Sequence, residues 1–133
     1  MQKHLRSFIV IGVISFAQFS FAAGGQASLL VETKDPRSQI SPDIAFNGKN
    51  SFIVTWQQGE NYFETESGDI MAKRLDGNGN PQASGTIKVT NHNASQERPR
   101  NAYFNQHFLI VWQDFRNGKD WDIYGERLTQ DGQ

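Results

Sequence analysis

Two long stretches of this 133-residue chain repeat one another. "FIVTWQ" at 52–57 aligns with "FLIVWQ" at 108–113 at an offset of 56, and "SQISPDIAFN" at 38–47 aligns with "SQERPRNAYF" at 95–104 at an offset of 57. "DIMAKRLDGNG" at 69–79 aligns with "DIYGERLTQDG" at 122–132 at an offset of 53. The offset changes only where loops fall: by one residue in the turn before Phe52 and Phe108, and by three between each Trp and the Asp that follows it. A unit copied this way takes the same local structure each time, and a small unit with apolar faces must bury them on its neighbours.

The periodicity within each unit is that of strands. Phe52, Val54 and Trp56 alternate with Ile53 and Thr55, and Phe108, Ile110 and Trp112 alternate with Leu109 and Val111. Both sets are apolar or β-branched, which suits a strand covered on both faces. "NGK" at 47–49 and "DGNGNP" at 76–81 are turn chemistry, because Gly and Asn accept positive φ and Pro interrupts a strand. No segment after residue 22 carries a helical stripe. The chain is therefore expected to be all-β, with strands near 28–33, 43–46, 51–57, 69–75, 86–90, 100–104, 107–113 and 122–128. Its repeats span 38–90 and 95–133, behind a leading segment at 23–37.

The two units resemble the blades of exported bacterial β-propellers, the TolB-type and related W-x-D-x-R…D-I-Y-x-x-R repeats. The second copy carries the fuller pattern in Trp112, Asp114, Arg116, Asp122, Ile123, Tyr124 and Arg127; the first has Gln58 and no Arg in the matching loop. The unit is longer than a usual TolB-type blade, so the resemblance implies the fold and not that family's partners. It implies two four-stranded antiparallel blades, a partial propeller. The first blade would use 43–46, 51–57, 69–75 and 86–90. The second, three strands long at the chain end, would be completed by "SLLVE" at 28–32. Two blades cannot close a ring, so this reading implies either a homo-oligomer, most simply a trimeric ring with the 28–32 strand beside 122–128 of a neighbour, or the remnant of a longer propeller protein without an independent role.

The N-terminus reads as a secretory signal peptide over 1–22: basic "MQKHLR", the apolar run "SFIVIGVISFAQFSF", then the small residues of "SFAAGG". A cut after Ala22 places Ser20 and Ala22 at the small-residue positions, and a cut after Gly24 also fits. The apolar run is short of the ~20 residues of a spanning helix, and nothing after Ala22 is apolar enough to span. The expected location is the periplasm or the exterior. With no cysteine, a disulfide framework, a cysteine metal site and a lipoprotein anchor are all excluded. Removing Lys3 and Arg6 leaves 11 of the 13 basic residues against 14 acidic ones, scattered along the chain, which speaks against a nucleic-acid partner.

Residues present in both units are expected to serve the unit. Trp56 and Trp112 are read as core, and Asp69 with Arg74, like Asp122 with Arg127, as turn bonds or ion pairs that stabilise each unit. The "DGNGNP" loop starts like a calcium loop, but Pro81 and Ile87 stand where an EF-hand requires Gly and Glu. His4, His92 and His107 lack metal-ligand spacing, and no cofactor or metal is expected. The box S-x-D-x-G-x-T-W of sialidase propellers is absent. Two non-repeated loops remain, 57–69 with Glu64 and Glu66 beside Tyr62 and Phe63, and 113–122 with Asp114, Arg116, Asp120 and Trp121. Both join the same pair of strands and should emerge at one end. An aromatic with flanking carboxylates and an Arg can hold a glycan or a peptide by stacking and hydrogen bonds. The functional expectation is thus a non-catalytic binding module, with a glycosidase using loop carboxylates as the alternative.

Overall fold

The computed structural model describes residues 31–32, 36–59 and 68–133. Within them the chain forms seven strands and no helix. β1 (Gln39–Phe46), β2 (Ser51–Gln58), β3 (Asp69–Asp76) and β4 (Pro81–Lys88) make one antiparallel meander; β5 (Gln96–Phe104), β6 (His107–Asp114) and β7 (Asp122–Thr129) make a second. The all-β expectation therefore holds, as sheets of four and three strands. The fourth strand expected for the second sheet, at 28–32, falls mostly outside the described residues. Of that stretch Val31 and Glu32 are described, and they form no strand. The Glu32 carboxylate instead reaches Lys73 Nζ at 3.2 Å and also accepts from the Thr86 hydroxyl, on the first sheet of its own chain.

Several boundaries differ from the sequence expectation for one reason. In sequence a Pro reads as a strand end, yet Pro42 lies inside β1, Pro99 inside β5, and Pro81 opens β4. All three strands are at sheet edges, where a missing N–H costs no ladder bond. β1 and β5 pass their prolines by bulges, with register shifts between Ile40 and Asp43 and between Glu97 and Arg100. The residue before each proline takes the left-handed conformation, Ser41 at φ 53° and Arg98 at φ 54°. The two bulges thus sit at aligned positions. β4 continues as backbone pairing past its end, since Val89 N donates to Ile70 O at 2.8 Å.

The turns explain the one-residue offset. Between β1 and β2 the Asn47 side chain accepts from the amides of Lys49, Asn50 and Ser51, each at 3.0 Å. Between β5 and β6 two residues suffice: Asn105 and Gln106 both have positive φ, as a tight hairpin turn of the primed type needs. In the β3–β4 turn Asp76 Oδ1 accepts from Asn78 N and Asn80 N at 2.9 and 2.8 Å. These bonds, led by those from Asn80, hold the Asp76 carboxyl below its ordinary pKa.

Cross-strand pairing fixes which side chains share a face. One face of the first sheet, its front, carries Phe52, Val54, Trp56, Met71 and Lys73; its back carries Ile53, Thr55, Ile70 and Ala72. The second sheet has Phe108, Ile110, Trp112, Tyr124 and Leu128 on its front and Leu109, Val111, Ile123 and Gly125 on its back. The core forms where the back of the first sheet meets the front of the second: Ile53, Ile70 and Ala72 pack with Phe108, Ile110, Trp112 and Leu128. Burying each large apolar side chain of this set contributes about 1.5–3 kcal/mol. The sheets approach most closely at their first strands, β1 against β5. There the Thr55 hydroxyl donates to Asn101 Oδ1 at 2.9 Å, and Asp43 Oδ2 accepts from Asn101 N. At the opposite end from the long loops, Arg74 reaches Asp131 O at 3.4 Å. Both sheets therefore point the same way up.

Candidate functional site

This common orientation gathers the β2–β3, β4–β5 and β6–β7 connections at one end of the molecule. Gln96 N bonds Gly68 O at 2.8 Å and Arg98 N reaches Gln57 Oε1 at 3.4 Å, tying the two sheets together there. Of the β2–β3 loop, residues 60–67 lie outside the described residues, and Glu64 and Glu66 with them. The candidate site is therefore built from the 113–122 loop and its surroundings.

The root of that loop is a buried ionic knot. Asp114, fully buried at the end of β6, accepts from Trp112 Nε1 at 2.9 Å and from Arg116 three times: from its amide at 2.9 Å, from Nε at 3.0 Å and from Nη2 at 2.6 Å. Two residues apart on one strand face, Trp112 and Asp114 point the same way, which is what lets the carboxylate meet the indole N–H. The guanidinium lies over the Tyr124 ring, 3.8 Å from its centroid, a cation–π contact across the β6–β7 pair. Burial pushes the Asp114 carboxyl up, but the hydrogen bonds from Arg116 and Trp112 outweigh it and hold the pKa below the ordinary carboxylate value. The same bond raises the Arg116 pKa.

The aligned place in the first sheet shows what this knot is for. Trp56 Nε1 donates to Gln58 Oε1 at 2.8 Å, so an amide does there what Asp114 does for Trp112. Being neutral, Gln58 needs no cation, and its own N–H turns to Arg37 O at 3.3 Å. Both tryptophans are buried, as expected of core residues. The ion pairs expected between Asp69 and Arg74 and between Asp122 and Arg127 are not made. Each pair is five residues apart on a strand, so its members point to opposite faces. Asp69 pairs instead with Lys88 at 3.0 Å and Arg37 at 3.9 Å. Asp122 accepts from Asn117 Nδ2 at 2.9 Å.

Beyond the knot the loop is a turn built on Asn117. Its side-chain oxygen accepts from the amides of Lys119 and Asp120 at 2.8 and 3.1 Å, and its nitrogen donates to Asp120 Oδ1 at 2.6 Å. This turn sets Trp121 against Phe115, ring centroids 5.1 Å apart, with Trp121 44% exposed. Asp120 is exposed beside it. Of the loop residues singled out in the sequence, Asp120 and Trp121 therefore face solvent, Arg116 is half-buried, and Asp114 is enclosed.

Sequence reasoning missed what lies next to Arg116. A polar cleft of about 240 Å³ opens between the β4–β5 connection and the second sheet, lined by Thr90, Asn91, His92, Arg116, Tyr124 and Glu126 among others. Its wall on one side is the strand that Tyr124 and Glu126 share, and alternation on β7 would have placed those two on one face. Its other wall, "TNHN", carries no pattern in sequence and becomes legible only once the sheets are stacked. A further cavity of about 350 Å³ lies over the front of the first sheet between Glu32, Pro36, Met71 and Lys73.

Compared with known proteins, the chain matches no family model, and no curated protein or solved structure is significantly similar to it.

Proposed function

We propose that the chain is an exported, non-catalytic binding module made of two propeller-type units, working as a ring of three copies and holding a glycan or a peptide at the loop end. The observation that carries the reading is Trp121: a half-exposed aromatic braced by Phe115, next to the exposed carboxylate of Asp120 and on the loop that carries Arg116, which stacks on Tyr124 of β7. An aromatic face with polar groups at its rim is the chemistry that stacks on a sugar ring or a peptide side chain while hydrogen-bonding its edge. The reading of the sheets as propeller-type units is supported by the same meander order, the bulges at aligned positions and the Trp-to-residue-plus-two bond in both. It also agrees with the residues through which the chain resembles exported propellers.

The test is a glycan and peptide array probed with the protein recovered from the exporting cell, whose N-terminus should read from Ala23. Trp121→Ala should weaken binding of any ligand found by about tenfold or more, with an unchanged circular dichroism spectrum, because the residue packs on its own loop and not in the core. Asp120→Asn should alter selectivity among ligands. Glycoside hydrolysis abolished by Glu64→Gln or Glu66→Gln would overturn the non-catalytic reading.

A further inference from the structure

The sheets stack in a polar way, back to front, which leaves the back of the second sheet open and the front of the first open along Ile44 and Phe46, although Trp56 and Leu75 on that front are buried. The buried back of the first sheet and the uncovered back of the second are aligned residue for residue. Ile70 is 0% exposed while its counterpart Ile123 is 70% exposed; Ile53 is 0% exposed while Leu109 is 42% exposed. Ala45, packed against the core, aligns with exposed Ala102. The second sheet thus displays on its open face the apolar set that drives the only sheet-to-sheet contact among the described residues.

The complementary surface is present too. In the intrachain contact the receiving front offers Asn101, Tyr103, Phe108, Ile110 and Trp112; the aligned positions on the front of the first sheet are Ile44, Phe46, Phe52, Val54 and Trp56. Ile44 and Phe46 are exposed, and Phe46 stacks on Phe52 with ring centroids 4.6 Å apart. Val31, Glu32 and Pro36 line cavities over this front, beside Val54, Trp56, Met71 and Lys73. Gln39 and Pro42 of β1 line one of these cavities, which leaves the Ile44 and Phe46 end of β1 exposed, on the strand position where the intrachain stack is closest.

We infer that the back of the second sheet docks on the front of the first sheet of another copy of this chain, repeating the intrachain stack from molecule to molecule. The contact is heterologous: Leu109, Val111 and Ile123 of one copy meet Ile44, Phe46 and Phe52 of the next. Such contacts close into a ring when the rotation per step allows it and run on as a filament when it does not. This rests on the reading of the sheets as propeller-type units, not on the ligand proposed above.

The intrachain contact supplies the test. Thr55 touches Asn101 across the stack, and the aligned pair across the intermolecular contact is Val111 of one copy and Ile44 of the other. The chain has no native cysteine, so Ile44→Cys and Val111→Cys can be placed on separate full-length copies, mixed, and treated with a short bis-maleimide. Within one molecule these positions lie on opposite outer faces with the core between them. The expected result is a cross-link between the Ile44→Cys copy and the Val111→Cys copy, with light scattering showing mass that grows with concentration. Ile123→Glu, at an exposed position, should keep the native circular dichroism spectrum and weaken association by about tenfold or more. A monodisperse monomer at tens of micromolar, or Val111→Cys copies cross-linking only to one another, would overturn the inference. If Trp121-dependent ligand binding persists in that case, the binding-module reading survives and the assembly alone has failed.

Discussion

Trp56 and Trp112 pose the same physical problem, a buried indole N–H that must find an acceptor, and the chain solves it with an amide once and with a carboxylate once. The carboxylate is the costlier choice, since a buried charge must be matched, and Arg116 supplies the match with a forked contact and a Tyr124 ring beneath it. Asp114→Ala would strand the Trp112 N–H and the guanidinium together, at a cost of about 1–3 kcal/mol, read as a fall in the urea midpoint. Asp114→Asn, which copies the solution at Gln58, should cost less. The two variants also separate in acid. Because the folded pKa of Asp114 lies below its unfolded value, the native state holds fewer protons than the unfolded chain as pH falls. Its contribution is whole above the unfolded carboxylate range of about pH 4 and is lost as pH drops through the lower folded value. Urea midpoints measured from neutral to acid pH should therefore fall more steeply in the parent protein than in Asp114→Asn. Parallel curves would mean that Asp114 is not held ionised by its partners.

At the scale of strands and turns, the sequence made the central strands plain and hid the edges. β2 and β6 are dense in β-branched and aromatic residues, so their alternation is legible without tertiary information. β4 is not: "PQASGTIK" has weak strand propensity and pairs because β3 offers it an edge, with Gly85 at φ 77° absorbing the irregularity between Lys73 and Leu75. The bulges of β1 and β5 were hidden for a similar reason, since a proline reads as a stop until one knows that the strand is at an edge. The joint between the C-terminal turn and the first sheet was also invisible, because it depends on which sheet faces which. Gly132, at φ 80°, lies so close that a Cβ there would come within 2.7 Å of Ile87 and 3.2 Å of Arg74. Gly132→Ala would meet both the left-handed penalty of about 1–2 kcal/mol and this contact. It should lower the thermal midpoint, whereas Gly118→Ala, with the same sign of φ but open space around it, should show the backbone penalty alone.

Over the whole molecule the defining fact is that the main apolar cluster among the described residues belongs to neither sheet alone. The apolar cluster is drawn from both, Ile53, Ile70 and Ala72 from one and Phe108, Ile110, Trp112 and Leu128 from the other, with Thr55, Asp43 and Asn101 bonded across the seam. The sequence made the two units legible but not this seam, because their alignment does not say which face of which copy is covered. It likewise grouped Asp114, Arg116, Asp120 and Trp121 by loop, and only the folded strands separate the enclosed carboxylate from the exposed indole. A shared core makes unfolding a single event. The three tryptophans are placed to report it: Trp56 in the first sheet, Trp112 in the second and Trp121 on the loop. Labelled with fluorotryptophan, the protein should show three fluorine resonances. Those of Trp56 and Trp112 should lose native intensity at the same urea concentration, while Trp121 is free to respond earlier, as loops open locally. Ile53→Ala removes a side chain of the first sheet that packs on the second, at a cost of about 2–4 kcal/mol. If the sheets stand only together, this change moves the Trp112 midpoint as far as the Trp56 midpoint, although Trp112 lies in the other sheet. A Trp112 midpoint left in place would mean that the second sheet folds without the first, and that the seam is a contact between two separate units.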